Sequence, residues 1–253
     1  MMGAMRVIAV TGLKGGVGKT STAVNLAALS AGSGHRTLLW DLDPQGAATY
    51  CLDLKPKLRG GASRLIGGGR GGLSAVSRHT SIPGLDVVPA DASVREIDRV
   101  LSLSGKPAKP IRKLLAGTKG LADVVVLDCP PGLSAVVEAV ASVADVLLVP
   151  VVPEPLPFRA LERFREFLAE TKVASPKIVA PFISMIDRRK PVHRRIESEI
   201  RAAGGFLGAA IPESSAVARM GEEQVPMVLS APRSLAAAEY RKLWAETAER
   251  AGI

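Results

Sequence analysis

The sequence predicts an α/β protein in which a mostly parallel, twisted sheet is covered by helices on both faces. Two observations carry this prediction. Short β-branched and aliphatic runs recur at Arg6–Thr11, Thr37–Asp41, Leu85–Pro89, Ala122–Asp128, Asp145–Val151, Lys177–Ser184 and Phe206–Ile211. Their apolar continuity marks strands buried on both faces rather than strands with one wet side. Between them lie segments with helical spacing: Lys19–Ala31, Ser93–Leu103, Pro110–Gly117, Leu133–Val143, Arg159–Lys172, Val192–Ala202 and Ser234–Arg250. Strand and helix alternate almost throughout, the pattern of parallel strands joined by crossover helices. A chain of 253 residues with 47% hydrophobic composition is long enough for one large core, so residues 1–253 are read as a single domain.

Composition narrows the classes of function. The formal charge of +9 favours acidic partners such as nucleic acid or an anionic membrane surface. Cys51 and Cys129 lie far apart without CxxC spacing, which argues against a disulfide framework or a zinc site and fits a reducing cytoplasm. The apolar stretch Val7–Val10 is too short for a signal peptide. No run approaches the roughly 20 apolar residues of a membrane helix, so a soluble protein without stable membrane insertion is expected. The compositional break is Leu58–Leu73, where Gly60-Gly61, Gly67–Gly69 and Gly71-Gly72 predict a mobile loop. From Leu54 to Leu85 there are six Lys or Arg and no acid, a composition that could make a weak anion-binding surface, although a solvated flexible excursion is the preferred reading.

The chemistry begins where the first strand ends. Lys14-Gly-Gly-Val-Gly-Lys-Thr-Ser21 stands between a strand closing at Thr11 and a helix opening at Lys19, the setting of a phosphate-binding loop. Gly15, Gly16 and Gly18, with Val17 between them, let backbone N–H groups converge on phosphate oxygens, and the helix N-terminus adds partial positive charge. Lys19 is expected on the β- and γ-phosphates of ATP, the Thr20 hydroxyl on Mg²⁺ and Ser21 near the α-phosphate. The general pattern G-x-x-x-x-G-K-[ST] would place glycine at position 13. Here Leu13 stands there, and a second lysine, Lys14, precedes the double glycine.

The form K-G-G-x-G-K-[ST] resembles the deviant Walker A motif of the ParA/MinD family of P-loop ATPases. That resemblance implies that Lys14 reaches across a dimer interface to phosphate held by a second subunit, so that ATP joins a homodimer. Leu39-Trp-Asp-Leu-Asp-Pro-Gln-Gly46 looks like the family's D-x-D-P-Q-G segment, which makes Asp43 the residue that orients the attacking water and a candidate for the magnesium shell, with Asp41 supporting the loop. Val124-Val-Val-Leu-Asp-Cys-Pro-Pro-Gly132 resembles a Walker B segment, with Asp128 facing the hydrated magnesium ion. Lys14, Lys19 and Asp43 are the catalytic candidates.

The resemblance extends along nearly the whole chain, in the short form with no helix-turn-helix ahead of the loop. It implies adenine contacts at Met185 and at Ile211-Pro-Glu-Ser214, where Pro212 and Ser214 are candidates and Ser214 replaces the family's asparagine. The proline-rich segment Pro150–Arg159 reads as a small insertion. Asp187–Arg195 packs five Lys or Arg into eight residues after the acid. Sequence-independent DNA binding is expected there, through Arg188, Arg189, Lys190, Arg194 and Arg195, with Arg201 and Arg219 as further candidates. A nucleoid-associated ATPase that partitions or positions a plasmid, chromosome or other cargo follows, its slow hydrolysis stimulated by a ParB-like or cargo-adaptor protein. The alternatives are a MinD-like membrane-associated positioning ATPase and a binding-only regulator of surface-polysaccharide synthesis. An iron–sulfur reductase is disfavoured by the placement of the two cysteines.

Overall fold

The computed structural model describes residues 5–68, 71–154, 157–170 and 178–253. Among these described residues eight strands form one sheet: β1 (Arg6–Val10), β2 (Thr37–Asp41), β3 (Arg78–His79), β4 (Leu85–Val88), β5 (Val124–Asp128), β6 (Val146–Val151), β7 (Ile178–Ile186) and β8 (Ala210–Pro212). Their spatial order is β3-β4-β2-β5-β1-β6-β7-β8, and every pairing is parallel except β3 with β4. The phosphate-loop strand β1 therefore lies between β5 and β6 at the centre of the sheet.

The apolar strands are buried on both faces, as their composition requires. In β1, Val7 and Ala9 pack into one core with Trp40 and Leu127, whereas Ile8 and Val10 pack into the other with Leu39, Val126 and Leu148. This alternation is the period-2 geometry of a strand with helices above and below it. The helices Lys19–Gly32 and Leu235–Ala251 meet over the second core, with Tyr240, Leu243 and Trp244 turned inward. Among the described residues, no helix is long and apolar enough to cross a membrane.

Three expectations need correction. The sheet has an eighth member: the two-residue β3 adds antiparallel to the β4 edge, too short to show a pattern in sequence. The run Leu58–Leu73 is not a structureless loop, because Gly61–Ile66 is helical and Leu58, Ala62, Leu65, Ile66 and Leu73 are buried in the first core. Burial outweighs the weak helix propensity of the glycines around it. The last strand starts at Ala210 rather than Phe206. Side chains take the backbone groups a longer strand would use there: Arg201 donates to the carbonyls of Leu207 and Gly208, and Glu239 accepts from the Ala210 N–H. The expected helix end at 171–172, the start of the expected strand at 177, Pro155 within the proline-rich segment and Gly69 in the glycine run lie outside the described residues.

Candidate functional site

The loop between β1 and the helix Lys19–Gly32 is shaped by backbone conformations that favour glycine. Gly16 and Gly18 have φ of 71° and 88°. Gly18 is also crowded: a Cβ built there would lie 2.9 Å from Ser184 Oγ. That Ser184 hydroxyl, at the end of β7, donates to the Val17 carbonyl at 2.9 Å. The crossing contact braces the turn, and Val17 itself is buried beneath it. The Thr22 and Ser21 hydroxyls both return to the Gly18 carbonyl, at 2.7 and 3.1 Å.

The two lysines of the loop differ in kind. Lys19 is buried, and its ammonium donates to the Lys14 carbonyl at 2.8 Å, so the charge is held against the loop. Burial lowers its pKa, while Asp128 and Asp43 oppose that shift. Lys14 is exposed and points away, its ammonium 3.2 Å from Glu154 Oε2 in a pair whose side chains are 64% and 54% exposed. An exposed pair of this kind contributes about 0–1 kcal/mol and restrains Lys14 little.

Asp128 ends β5 fully buried, and neither carboxylate oxygen makes a hydrogen bond. Burial and then the Asp41 carboxylate push its pKa well up, with Asp43 adding to the shift; the Thr20 hydroxyl, close by but outside good hydrogen-bond geometry, and the Lys19 charge oppose it. The β2–β5 register sets Asp41 directly beside Asp128. Asp41 is the supporting residue the sequence suggested: it accepts from the Thr49 N–H and hydroxyl at 2.9 and 2.7 Å and from the Asp43 N–H at 3.2 Å. Burial still pushes Asp41 up to about 6. Asp43 caps its own turn through the Gln45 N–H at 2.9 Å.

A buried carboxylate with no donor is costly unless a cation or a proton satisfies it. Asp128, with Thr20 and Lys19 beside it, therefore fits a hydrated magnesium ion carried in with nucleotide phosphates. Among the described residues no group of three or more His, Cys, Asp or Glu could hold a metal alone. That suits magnesium, which takes few protein ligands and completes its shell with water and phosphate.

A cavity of about 770 Å³ opens from the loop, lined by Gly15, Gly16, Gly18, Lys19, Thr20 and Ser21, by Asp43, and by Met185, Pro212 and Ser214. The phosphate-loop and adenine candidates thus converge on one space. Lys14, Val17 and Asp128 do not line it. Met185 has a left-handed backbone (φ 54°), and the β7–β8 register shifts at that point, turning the chain toward the cavity. Sequence reasoning missed Ser184, Gln45, Pro131 and Tyr240 among the lining residues. Ser184 and Pro131 had a signal, since ligands of open α/β sheets sit beyond the carboxyl ends of strands. Tyr240 had none, because a core stripe on a helix does not disclose which hydroxyl reaches a site; its phenol, raised by burial, faces Ser21 and Thr22.

The basic residues of 188–201 are largely engaged. Arg188 forks onto Glu197, Arg189 onto Asp187, Lys190 reaches Glu213, and Arg195 lies 3.7 Å from Glu199. Arg194 donates to the Arg188 carbonyl at 2.7 Å. Arg201 holds the two carbonyls before β8, and Arg219 pairs with Glu223.

A central parallel sheet, a lysine-bearing loop at the end of β1 and an orphaned carboxylate at the end of β5 define a P-loop nucleotide-binding protein. Residues 5–179 match the AAA domain family. The chain is 32% identical to the chromosome-partitioning ATPase Soj of Thermus thermophilus, over 97% of this chain and 96% of that protein. It is 29% identical to the chromosome partitioning protein ParA of Caulobacter vibrioides, over 97% and 95%. Its structure is similar to that of cobyrinic acid a,c-diamide synthase from Mycobacterium smegmatis with bound ATP analog and magnesium, with a TM-score of 0.79 and 26% identity over 95% of this chain and 93% of that one. The chain belongs to the AAA domain family, and within it is a ParA-type P-loop ATPase.

Proposed function

We propose that the protein is a switch in which ATP closes a homodimer, the dimer holds duplex DNA without sequence preference, and a ParB-like or cargo-adaptor protein stimulates slow hydrolysis to ADP and phosphate. Cycles of this kind partition or position a plasmid, a chromosome or another cargo. The observation that carries the reading is the division of labour between the two lysines. Lys19 is buried against its own loop and lines the cavity, whereas Lys14 stands outside the cavity in solvent. A lysine side chain of the second kind lies outside its own cavity but can bridge to phosphate bound by a facing copy. The names of the Thermus and Caulobacter relatives support a role in partitioning.

In this reading Gly15, Gly16 and Gly18 present N–H groups to the phosphates, and Lys19 neutralises the β- and γ-oxygens. Thr20 and Asp128, with Asp43 nearby, would hold magnesium, which would supply charge neutralisation to the phosphates. Asp43, held by the Asp41 clamp, positions the attacking water. Met185, Pro212 and Ser214 flank the base. DNA is released on hydrolysis because closed and open states differ in DNA affinity, and a ligand shifts an equilibrium only by such a difference.

The test is binding of a fluorescent, arbitrary-sequence duplex with ATP, with ADP and without nucleotide, for the wild type and Lys14→Ala. Salt-sensitive binding that needs ATP and is lost in Lys14→Ala is expected. Equal binding in all three nucleotide states would sink the switch.

A further inference from the structure

We infer that the exposed cations of the segment 55–64 form a binding surface for the phosphate backbone of duplex DNA, distinct from the 188–201 patch. The two regions differ in available charge. Residues 54–85 carry six Lys or Arg and no acid, whereas residues 187–201 carry six together with three acids. Lys55, Lys57, Arg59 and Arg64 are exposed, and none makes an ion pair with a described residue. In the other region Arg188, Arg189, Lys190 and Arg195 each have a carboxylate partner. A phosphate must displace those carboxylates but can reach the 55–64 cations without an exchange.

The segment is also held in place. The Leu58 N–H donates to Asp91 Oδ2 at 2.8 Å and the Ala62 N–H to Ser93 Oγ at 2.9 Å, while Arg78 donates to the Lys57 carbonyl at 2.8 Å. Leu58, Ala62, Leu65 and Ile66 anchor it in the core. The backbone carrying the cations is therefore ordered before any ligand arrives, which spares the entropy of ordering it on binding.

The chemistry of the face selects among polyanions. Leu58 and Ala62 are buried and Pro56 is the one exposed apolar side chain of the segment, too small to form the apolar centre of a protein-docking surface or to wedge into a lipid headgroup layer. It has no aromatic platform on which unpaired bases could stack. A surface of cations alone suits the regularly charged backbone of a duplex.

The face adjoins the hydrolysis segment. A Cβ built on Gly46 would lie 3.1 Å from Pro56 Cβ, so the chain between Lys55 and Lys57 leans on the turn that follows Asp43. This contact gives a change at Asp43 a route to these cations, and the nucleotide dependence of DNA binding is where it would be read. Only this nucleotide dependence rests on the switch reading; the charge argument stands without it.

The experiment compares three proteins on an arbitrary-sequence duplex of about 30 base pairs, with ATP and magnesium over a salt series: wild type, a Lys55→Ala/Lys57→Ala/Arg59→Ala/Arg64→Ala variant, and an Arg194→Ala/Arg195→Ala variant. ATP affinity, dimerisation and melting temperature are measured alongside, and a Lys55→Arg/Lys57→Arg variant provides a charge-conserving control. The expected result is at least a tenfold loss of affinity in the quadruple variant and a log–log salt slope shallower by about 3, with ATP binding intact and the arginine control near wild type. An unchanged affinity and slope in the quadruple variant, with binding lost in Arg194→Ala/Arg195→Ala, would overturn the proposal and leave the switch standing. Salt-sensitive capture of polyglutamate in preference to DNA would overturn the assignment to nucleic acid.

Discussion

Gly18 shows how much of the site rests on single atoms. Its φ of 88° disfavours any side chain, and Ser184 Oγ occupies the space a Cβ would need. Gly18→Ala is expected to destabilise the protein by about 1–3 kcal/mol and to weaken ATP binding. Combining it with Ser184→Ala relieves the clash but not the backbone strain, so thermal melting of the pair should recover only part of the loss. Full recovery would show that the left-handed turn carries no strain.

Asp128 illustrates the opposite trade. Its raised pKa means the folded protein keeps a proton that the unfolded chain has released above about pH 4, so this group lowers stability as pH rises toward its folded value. Asp128→Asn is therefore expected to melt higher than wild type at pH 8 without nucleotide, with a smaller difference at pH 5, and to lose magnesium-dependent ATP affinity. Lower stability at both pH values would contradict the orphaned-carboxylate account. Asp41 and Asp128 were legible in the sequence as acids that each end an apolar strand in a chain bearing a lysine-bearing phosphate loop. Their burial was not legible: the Asp41–Asp128 juxtaposition arises from pairing between strands more than 80 residues apart.

At the scale of elements, the segment Gly61–Ile66 was the least legible part of the chain. Glycine-rich flanks signalled a loop, and the local sequence holds no periodic run long enough to counter that signal. Its order comes from Leu58, Leu65 and Leu73 reaching a core built by residues distant in sequence. Leu65→Ala is expected to cost about 2–4 kcal/mol, measured by denaturant unfolding, where a true loop position would change stability by under about 0.5 kcal/mol. The last strand shows the complementary failure. Phe206–Ile211 has a strand's composition, but Gly204 and Gly205 turn with positive φ and Arg201 ties the carbonyls that follow. Arg201 was expected to contact DNA. Its position at Leu207 and Gly208 gives it a structural task that a charge pattern cannot disclose.

Across the whole molecule, the alternation of apolar strands and amphipathic helices was enough to predict the mostly parallel sheet and a phosphate loop between its first strand and first long helix. Strand order was not legible, and it is the order that brings β1, β5, β2 and β7 to converge on one cavity from Gly15 to Ser214. In the proposed switch Lys14 acts in trans, binding a second subunit's phosphate rather than its own. Light scattering of wild type and Lys14→Ala with ATP, with ADP and without nucleotide tests this most directly, paired with a titration of ATP affinity. The account predicts that wild type dimerises only with ATP, and that Lys14→Ala binds ATP within a few-fold of wild type yet stays monomeric. A Lys14→Ala protein that dimerises normally, or a wild type whose mass is the same in all three states, would contradict it.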